Sequence, residues 1–84
     1  MRNIVFNNFR TQHGYDDITK KIMSLKHGET FVENYYQSRL MLNRDYQTGR
    51  NKAITHAIED GYIESISIGL DLFGNEIEGI FKRL

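Results

Sequence analysis

The sequence predicts a single α+β domain, three helices closed by a C-terminal β-hairpin. Three observations between Thr48 and Leu84 carry that prediction. Ala53, Ile54, Ala57 and Ile58 recur at helical spacing and form one apolar stripe. Gly61 follows, where a helix closes readily on a residue in the left-handed conformation. Ile66, Ile68, Leu70 and Leu72 then alternate with more polar residues at strand period, Gly74-Asn75 supplies a two-residue turn, and Ile77 to Phe81 returns.

The remaining elements follow in order. Ile4, Val5, Phe6 and Phe9 predict a short strand or an arm over residues 1–14, packed on the body and ending in a turn at His13-Gly14. A first helix, capped by Asp16 or Asp17, carries Ile18, Ile22 and Leu25 with Met23 beside them. It closes at Lys26-His27-Gly28, with positive charge in its last turn. Glu29 to Val32 reads as a short strand able to pair with the hairpin. A second helix is expected over about Glu33 to Leu42, with Tyr36, Leu40 and Met41 inward. Asn43-Arg44-Asp45 then turns the chain into the third helix, for which Thr48 serves as N-cap. The helical part thus spans 15–61 and the hairpin 62–84.

At 84 residues and 39% hydrophobic, the chain suits one globular domain with a small core. No apolar run is long enough to cross a bilayer, and Asn7 and Asn8 interrupt any leader-like stretch. With no cysteine, disulfides and thiolate metal sites are excluded, which fits a cytoplasmic protein. His13, His27 and His56 fall in separate elements without ligand spacing, so no metal is expected. Asp16-Asp17 and Glu59-Asp60 read as helix-end charges rather than an acid/base pair. There is no glycine-rich phosphate loop and no nucleophile in a recognisable setting, so the expectation is a non-enzyme without cofactor or small-molecule substrate.

Net charge is zero, yet its distribution is uneven. Residues 18–58 hold seven bases (Lys20, Lys21, Lys26, Arg39, Arg44, Arg50, Lys52) against Glu29, Glu33 and Asp45, a balance of +4. Residues 59–81 hold Glu59, Asp60, Glu64, Asp71, Glu76 and Glu78 with no base, a balance of −6. A neutral chain can therefore present a basic face, and the local field is what steers a polyanion. With Ile54, Ala57 and Ile58 buried, the third helix turns Asn51, Lys52, Thr55, His56 and Glu59 outward, with Thr48 and Arg50 at its start. Arg50 has the forked donor group that matches guanine, and Asn51 the amide that matches adenine. The alternative is that these residues only solvate a surface helix.

The hairpin has the wrong charge for a phosphate-contacting element. Its tip reads Asp71-Leu72-Phe73-Gly74-Asn75-Glu76, and one register sets Asp71 opposite Glu78, which repels. Either it points away from nucleic acid, or it holds a basic partner or a second copy with Phe73 as anchor, or the nucleic acid is not a standard duplex. The last option draws on Tyr35, Tyr36 and Tyr46, interleaved with Arg39, Arg44 and Arg50, because single strands are held by bases stacked on rings beside cations. Against it, adjacent Tyr35 and Tyr36 cannot share one helix face, and one of them is then core.

The run Thr48-Gly49-Arg50-Asn51-Lys52-Ala53-Ile54-Thr55-His56-Ala57-Ile58-Glu59-Asp60-Gly61-Tyr62-Ile63 resembles the recognition helix and exit of bacterial winged helix-turn-helix regulators, over roughly residues 16–84. Leu25-Lys26-His27-Gly28-Glu29-Thr30-Phe31, followed by Gly49-Arg50 and Gly61-Tyr62-Ile63, is similar to small winged-helix proteins of bacterial mobile cassette elements, a family linked to single-stranded DNA. These resemblances imply a DNA-binding protein of phage or mobile-element type, a possible homodimer, with contacts from Arg39, Arg44, Tyr46, Thr48, Arg50, Asn51, Lys52, Thr55 and His56. The acidic tip and the N-terminal arm depart from the pattern. The competing expectation is a protein-interaction module that uses Asp71, Phe73, Glu76 and Glu78.

Overall fold

The computed structural model describes Phe6 and residues 8–35 and 44–84. Within them the order is α1 (Phe9–Ser24), β1 (Thr30–Asn34), α2 (Arg44–Glu59), β2 (Ile63–Leu70) and β3 (Glu76–Arg83). The described residues thus form an α+β arrangement with two helices rather than three. Of the helix expected over Glu33 to Leu42, Glu33 and Asn34 belong instead to β1. Residues 36–43, with Tyr36, Arg39, Leu40 and Met41, lie outside the described residues.

Both helices begin earlier than their sequence signals. Helix α1 starts at Phe9, so Phe9 to Gly14 are not an arm and His13-Gly14 is not a turn. Its cap is Asn8 rather than Asp16 or Asp17: the Asn8 Oδ1 accepts from the backbone N–H groups of Arg10 (2.7 Å) and Thr11 (3.4 Å). The Asn8 Nδ2 also donates to Asp45 at the start of α2, 2.9 Å away. Helix α2 begins at Arg44, so Arg44 and Asp45 are helical and Thr48 lies inside the helix. There the Thr48 hydroxyl donates back to the Arg44 carbonyl at 2.8 Å instead of capping.

The reason for both misplacements is a single packing event. Gly14 and Gly49 are helix-interior residues at which α1 and α2 touch backbone to backbone. A Cβ on Gly14 would overlap the Tyr46 carbonyl, and a Cβ on Gly49 would overlap the Thr11 carbonyl. Thr11, Gly14, Ile18 and Ile22 form the buried stripe of α1, at helical spacing. Gln47, Gly49, Ala53, Ile54 and Ala57 form that of α2. Ile58, expected inside, is 41% exposed.

The end of α2 is as the sequence predicts. Gly61 has φ +81°, the Tyr62 N–H donates to the Ala57 carbonyl at 2.9 Å, and the Gly61 N–H donates to Ile58 at 3.1 Å. This paired closure satisfies two carbonyls that the helix leaves over. The chain then enters β2. The sheet is antiparallel in the order β1-β3-β2, so β3 is central and the early strand does pair with the hairpin. Phe31 sits opposite Phe81, their rings 5.3 Å apart, and both join Ile18, Ile22, Ile54 and Ile63 in the core.

The hairpin turn is longer than the expected Gly-Asn pair. Gly69 faces Glu78 and Leu70 faces Glu76, so Asp71 lies in the turn and never opposes Glu78. The Asp71 carboxylate accepts from the backbone N–H groups of Phe73 (2.8 Å) and Asn75 (2.9 Å), and Gly74 takes φ +82°. Among the described residues no helix is long and apolar enough to cross a membrane.

The glycine contact makes a test with opposed signs. Helix propensity alone would have alanine stabilise each position by about 1 kcal/mol. Overlap with a backbone carbonyl predicts that Gly14→Ala and Gly49→Ala each destabilise by about 1–3 kcal/mol or more. Urea denaturation of the two variants reads the sign directly.

Candidate nucleic-acid interface

Strand β1 alternates exposed and buried side chains, which turns Phe31 and Glu33 toward the helices. A carboxylate at a core-facing position requires a partner. Arg50 supplies it from α2: its Nε donates to Glu33 Oε2 at 2.7 Å and its Nη2 to Oε1 at 2.9 Å. The side chains are 15% and 5% exposed. Gln47 adds a third donor, its Nε2 standing 3.1 Å from Glu33 Oε2 and 2.8 Å from the Asn51 Oδ1. The forked bond to Glu33 raises the Arg50 pKa, against the opposing pull of burial.

Arg50 is therefore not the outward-facing base reader that its sequence position suggests. Its remaining Nη1 donates to the Tyr46 hydroxyl at 3.3 Å, and the guanidinium stands 5.6 Å over the same ring. Tyr46 in turn donates to Asp17 of α1 at 2.5 Å. Burial first, then the bond to the Asp17 carboxylate, holds the Tyr46 phenol above its ordinary pKa. The chain Glu33–Arg50–Tyr46–Asp17 so links β1, α2 and α1. Tyr46, expected as a stacking ring, is a half-buried member of this network. His56 is also half-buried, and it shares a 2.8 Å hydrogen bond with the Tyr15 hydroxyl.

Pointing Gln47, Gly49, Arg50 and Ala53 inward fixes the rotation of α2. Arg44, Thr48 and Lys52 then lie exposed on successive turns, with Asn51 and Thr55 exposed beside them. Of the expected contact set these five are at the surface of one helix, Tyr46, Arg50 and His56 are drawn inward, and Arg39 lies outside the described residues.

Asn51, Thr55 and Ile58 also form one wall of an open cleft of about 580 Å³ between α2 and the hairpin. Ile68, Glu76 and Glu78 belong to the other side, and Tyr35 also lines the cleft. Burial, with Glu33 and Glu76 nearby, pushes the Tyr35 phenol up to about 12. The expected partner residues divide as well. Asp71 is occupied in organising the turn, Phe73 is 88% exposed, and Glu76 is exposed. Among the described residues no group of three or more His, Asp and Glu side chains could hold a metal ion.

Pairing of Glu33 with Arg50 carries little sequence signal, since the two lie on elements joined by residues 35–43. An inward-facing Glu in a strand with a Phe two residues before it was the clue available. Compared with protein-family models, with curated proteins and with solved structures, the chain shows no match.

Two measurements check this network. Arg50→Ala leaves the Glu33 carboxylate buried without a counter-charge, held only by the Gln47 amide, for an expected loss of about 3–5 kcal/mol in urea denaturation. Replacing both Arg50 and Glu33 by Met should recover most of that loss, because no unpaired charge is then buried. In an alkaline titration of phenolate absorbance, Tyr35 should ionise near pH 12, beyond an ordinary tyrosine at 10.0. The folded state keeps the Tyr35 proton while an unfolded chain would lose it. Its contribution to stability is thus whole below pH 10 and is lost as pH rises toward 12.

Proposed function

We propose that this chain is a winged-helix domain that binds DNA through the exposed face of α2. The observation that carries the reading is the outward row Arg44, Thr48 and Lys52, flanked by Asn51 and Thr55, on a helix whose opposite face is locked to β1 and α1. The order α1, β1, α2, hairpin, with β1 paired to β3, supports the winged arrangement. Lysine and arginine on such a row neutralise phosphates, while Asn51 and the hydroxyls of Thr48 and Thr55 have the donors and acceptors to meet base edges.

The engagement of Tyr46 with Asp17 and Arg50 favours groove contact with a duplex over stacking of a single strand. Glu76 and Glu78 beside the cleft would repel phosphate, so the duplex lies along the Arg44–Lys52 row and not against the hairpin. A DNA-binding role of phage or mobile-element type remains part of this proposal and rests on the sequence resemblance.

A second reading has one specific observation behind it. The hairpin turn is held by hydrogen bonds from Phe73 and Asn75 to Asp71, yet it presents Leu72 at 100% and Phe73 at 88% exposure. A rigid turn displaying two large apolar side chains is suited to anchoring in a basic-rimmed pocket of a protein partner.

Fluorescence anisotropy with labelled duplex and single-stranded DNA of one length separates the readings. Lys52→Ala and Arg44→Ala should each weaken duplex binding several-fold at low salt and lower the salt dependence by about one counterion. Unchanged affinity in both variants would remove α2 as the contact surface. Absence of binding to either DNA at low salt would transfer the function to the hairpin tip.

A further inference from the structure

The sheet order leaves β2 at an edge, with its outer backbone N–H and C=O groups unpaired by β1 or β3. An eight-residue edge strand is normally blunted by Lys, Pro or a covering element. This one carries neither residue type, and Ile66, Ile68 and Leu70 each expose more than half their surface (51%, 53% and 58%). Ile58, 41% exposed on α2, shares the cleft with Ile68, so the apolar surface continues from the strand onto the helix. Such a surface on an unpaired edge marks an interaction site.

We propose that the β2 edge pairs antiparallel with β2 of a second copy, about a two-fold axis through Ser67. The argument for a second copy is the self-complementarity of the strand. Ser65 to Leu70 carries no charge, and its flanks, Glu64 and Asp71, are both acidic. An axis through Ser67 places Ile66 opposite Ile68, Ser65 opposite Gly69, and Glu64 opposite Leu70. Every carboxylate then faces an apolar residue. Shifting the register by one residue, so that Ser67 faces Ile68, would set Glu64 against Asp71, a repulsive opposition. An isologous contact of this kind closes at two copies and leaves no β2 edge free for a third.

Two register shifts, between Ser65 and Ser67 and between Gly69 and Leu70, interrupt the β2–β3 ladder. Bulges of this kind shorten the stretch available for pairing. The side chains of Ile66, Ile68 and Leu70 must therefore supply most of the affinity, and the dimer is a weak one, with a dissociation constant on the order of tens of micromolar. The inference concerns a strand edge on the cleft side of α2 rather than the Arg44–Lys52 row, and does not depend on DNA binding.

Sedimentation equilibrium of the full chain, from micromolar to near-millimolar concentration and without DNA, tests the proposal. The expected result is a reversible monomer–dimer equilibrium that Ile68→Lys shifts to monomer. Because the chain has no cysteine, single substitutions also report geometry. Under mild oxidation Ser67→Cys, lying on the axis, should form a covalent dimer much faster than Leu72→Cys in the turn. A monomer at every concentration would overturn the proposal, whatever else then occupies the edge. So would a dimer in which Leu72→Cys cross-links as fast as Ser67→Cys. The cross-linking comparison stands even if Ile68→Lys fails to fold.

Discussion

Backbone against backbone at Gly14 and Gly49 is the constraint on which the rest of this structure depends. Each glycine receives a carbonyl of the opposite helix where a side chain would stand. Close approach of α1 and α2 lets short side chains, Ala53 and Ala57, complete a core with Ile18 and Ile22. A small domain has few large apolar residues to bury, and reducing the distance between its helices is one way to exclude water with those it has.

The crossing also sets which side of α2 is free. Once Gly49 is against α1, Arg50 falls beside Glu33 of β1 and Tyr46 beside Asp17 of α1. Buried ion pairs contribute little net stability, because desolvation offsets their attraction, but they penalise any arrangement that separates them. Here the pair opposes rotation of α2, since turning the helix would strand Glu33 against the core. The surface left to solvent, Arg44, Thr48, Asn51, Lys52 and Thr55, is thus the complement of what the packing consumes. Arginine at position 50 serves architecture, and the cationic face is correspondingly narrower than the charge count of the helical half implies.

Charge is segregated further by the hairpin. Glu76 and Glu78 lie along the cleft on the far side of Asn51 and Thr55, so one helix borders a basic row on one flank and an acidic cleft on the other. A polyanion approaching this helix is steered to the first flank and repelled from the second. The exposed apolar side chains of β2 and of the turn belong to the acidic flank, apart from the basic row.

The α+β class, the closure of α2 at Gly61, the early strand that pairs with the hairpin and the two strands of that hairpin were all legible in the sequence, whereas the three-helix count was not. Each rests on local chemistry: helical and strand periodicities, and a glycine whose left-handed φ ends a helix. The starts of both helices were not, because His13-Gly14 and Thr48-Gly49 have the composition of a turn and a cap. In isolation glycine is read as a breaker; against another backbone it is the residue that permits contact, and only the partner helix distinguishes the two. The same holds for the candidate site. Charge, amide and hydroxyl residues on one helix were visible in order, but whether Arg50 faces solvent or Glu33 depends on a strand 17 residues away in sequence. Local propensity determined what the elements are, and the tertiary contacts of Gly14 with the Tyr46 backbone and of Gly49 with the Thr11 backbone decided which side chains remained exposed.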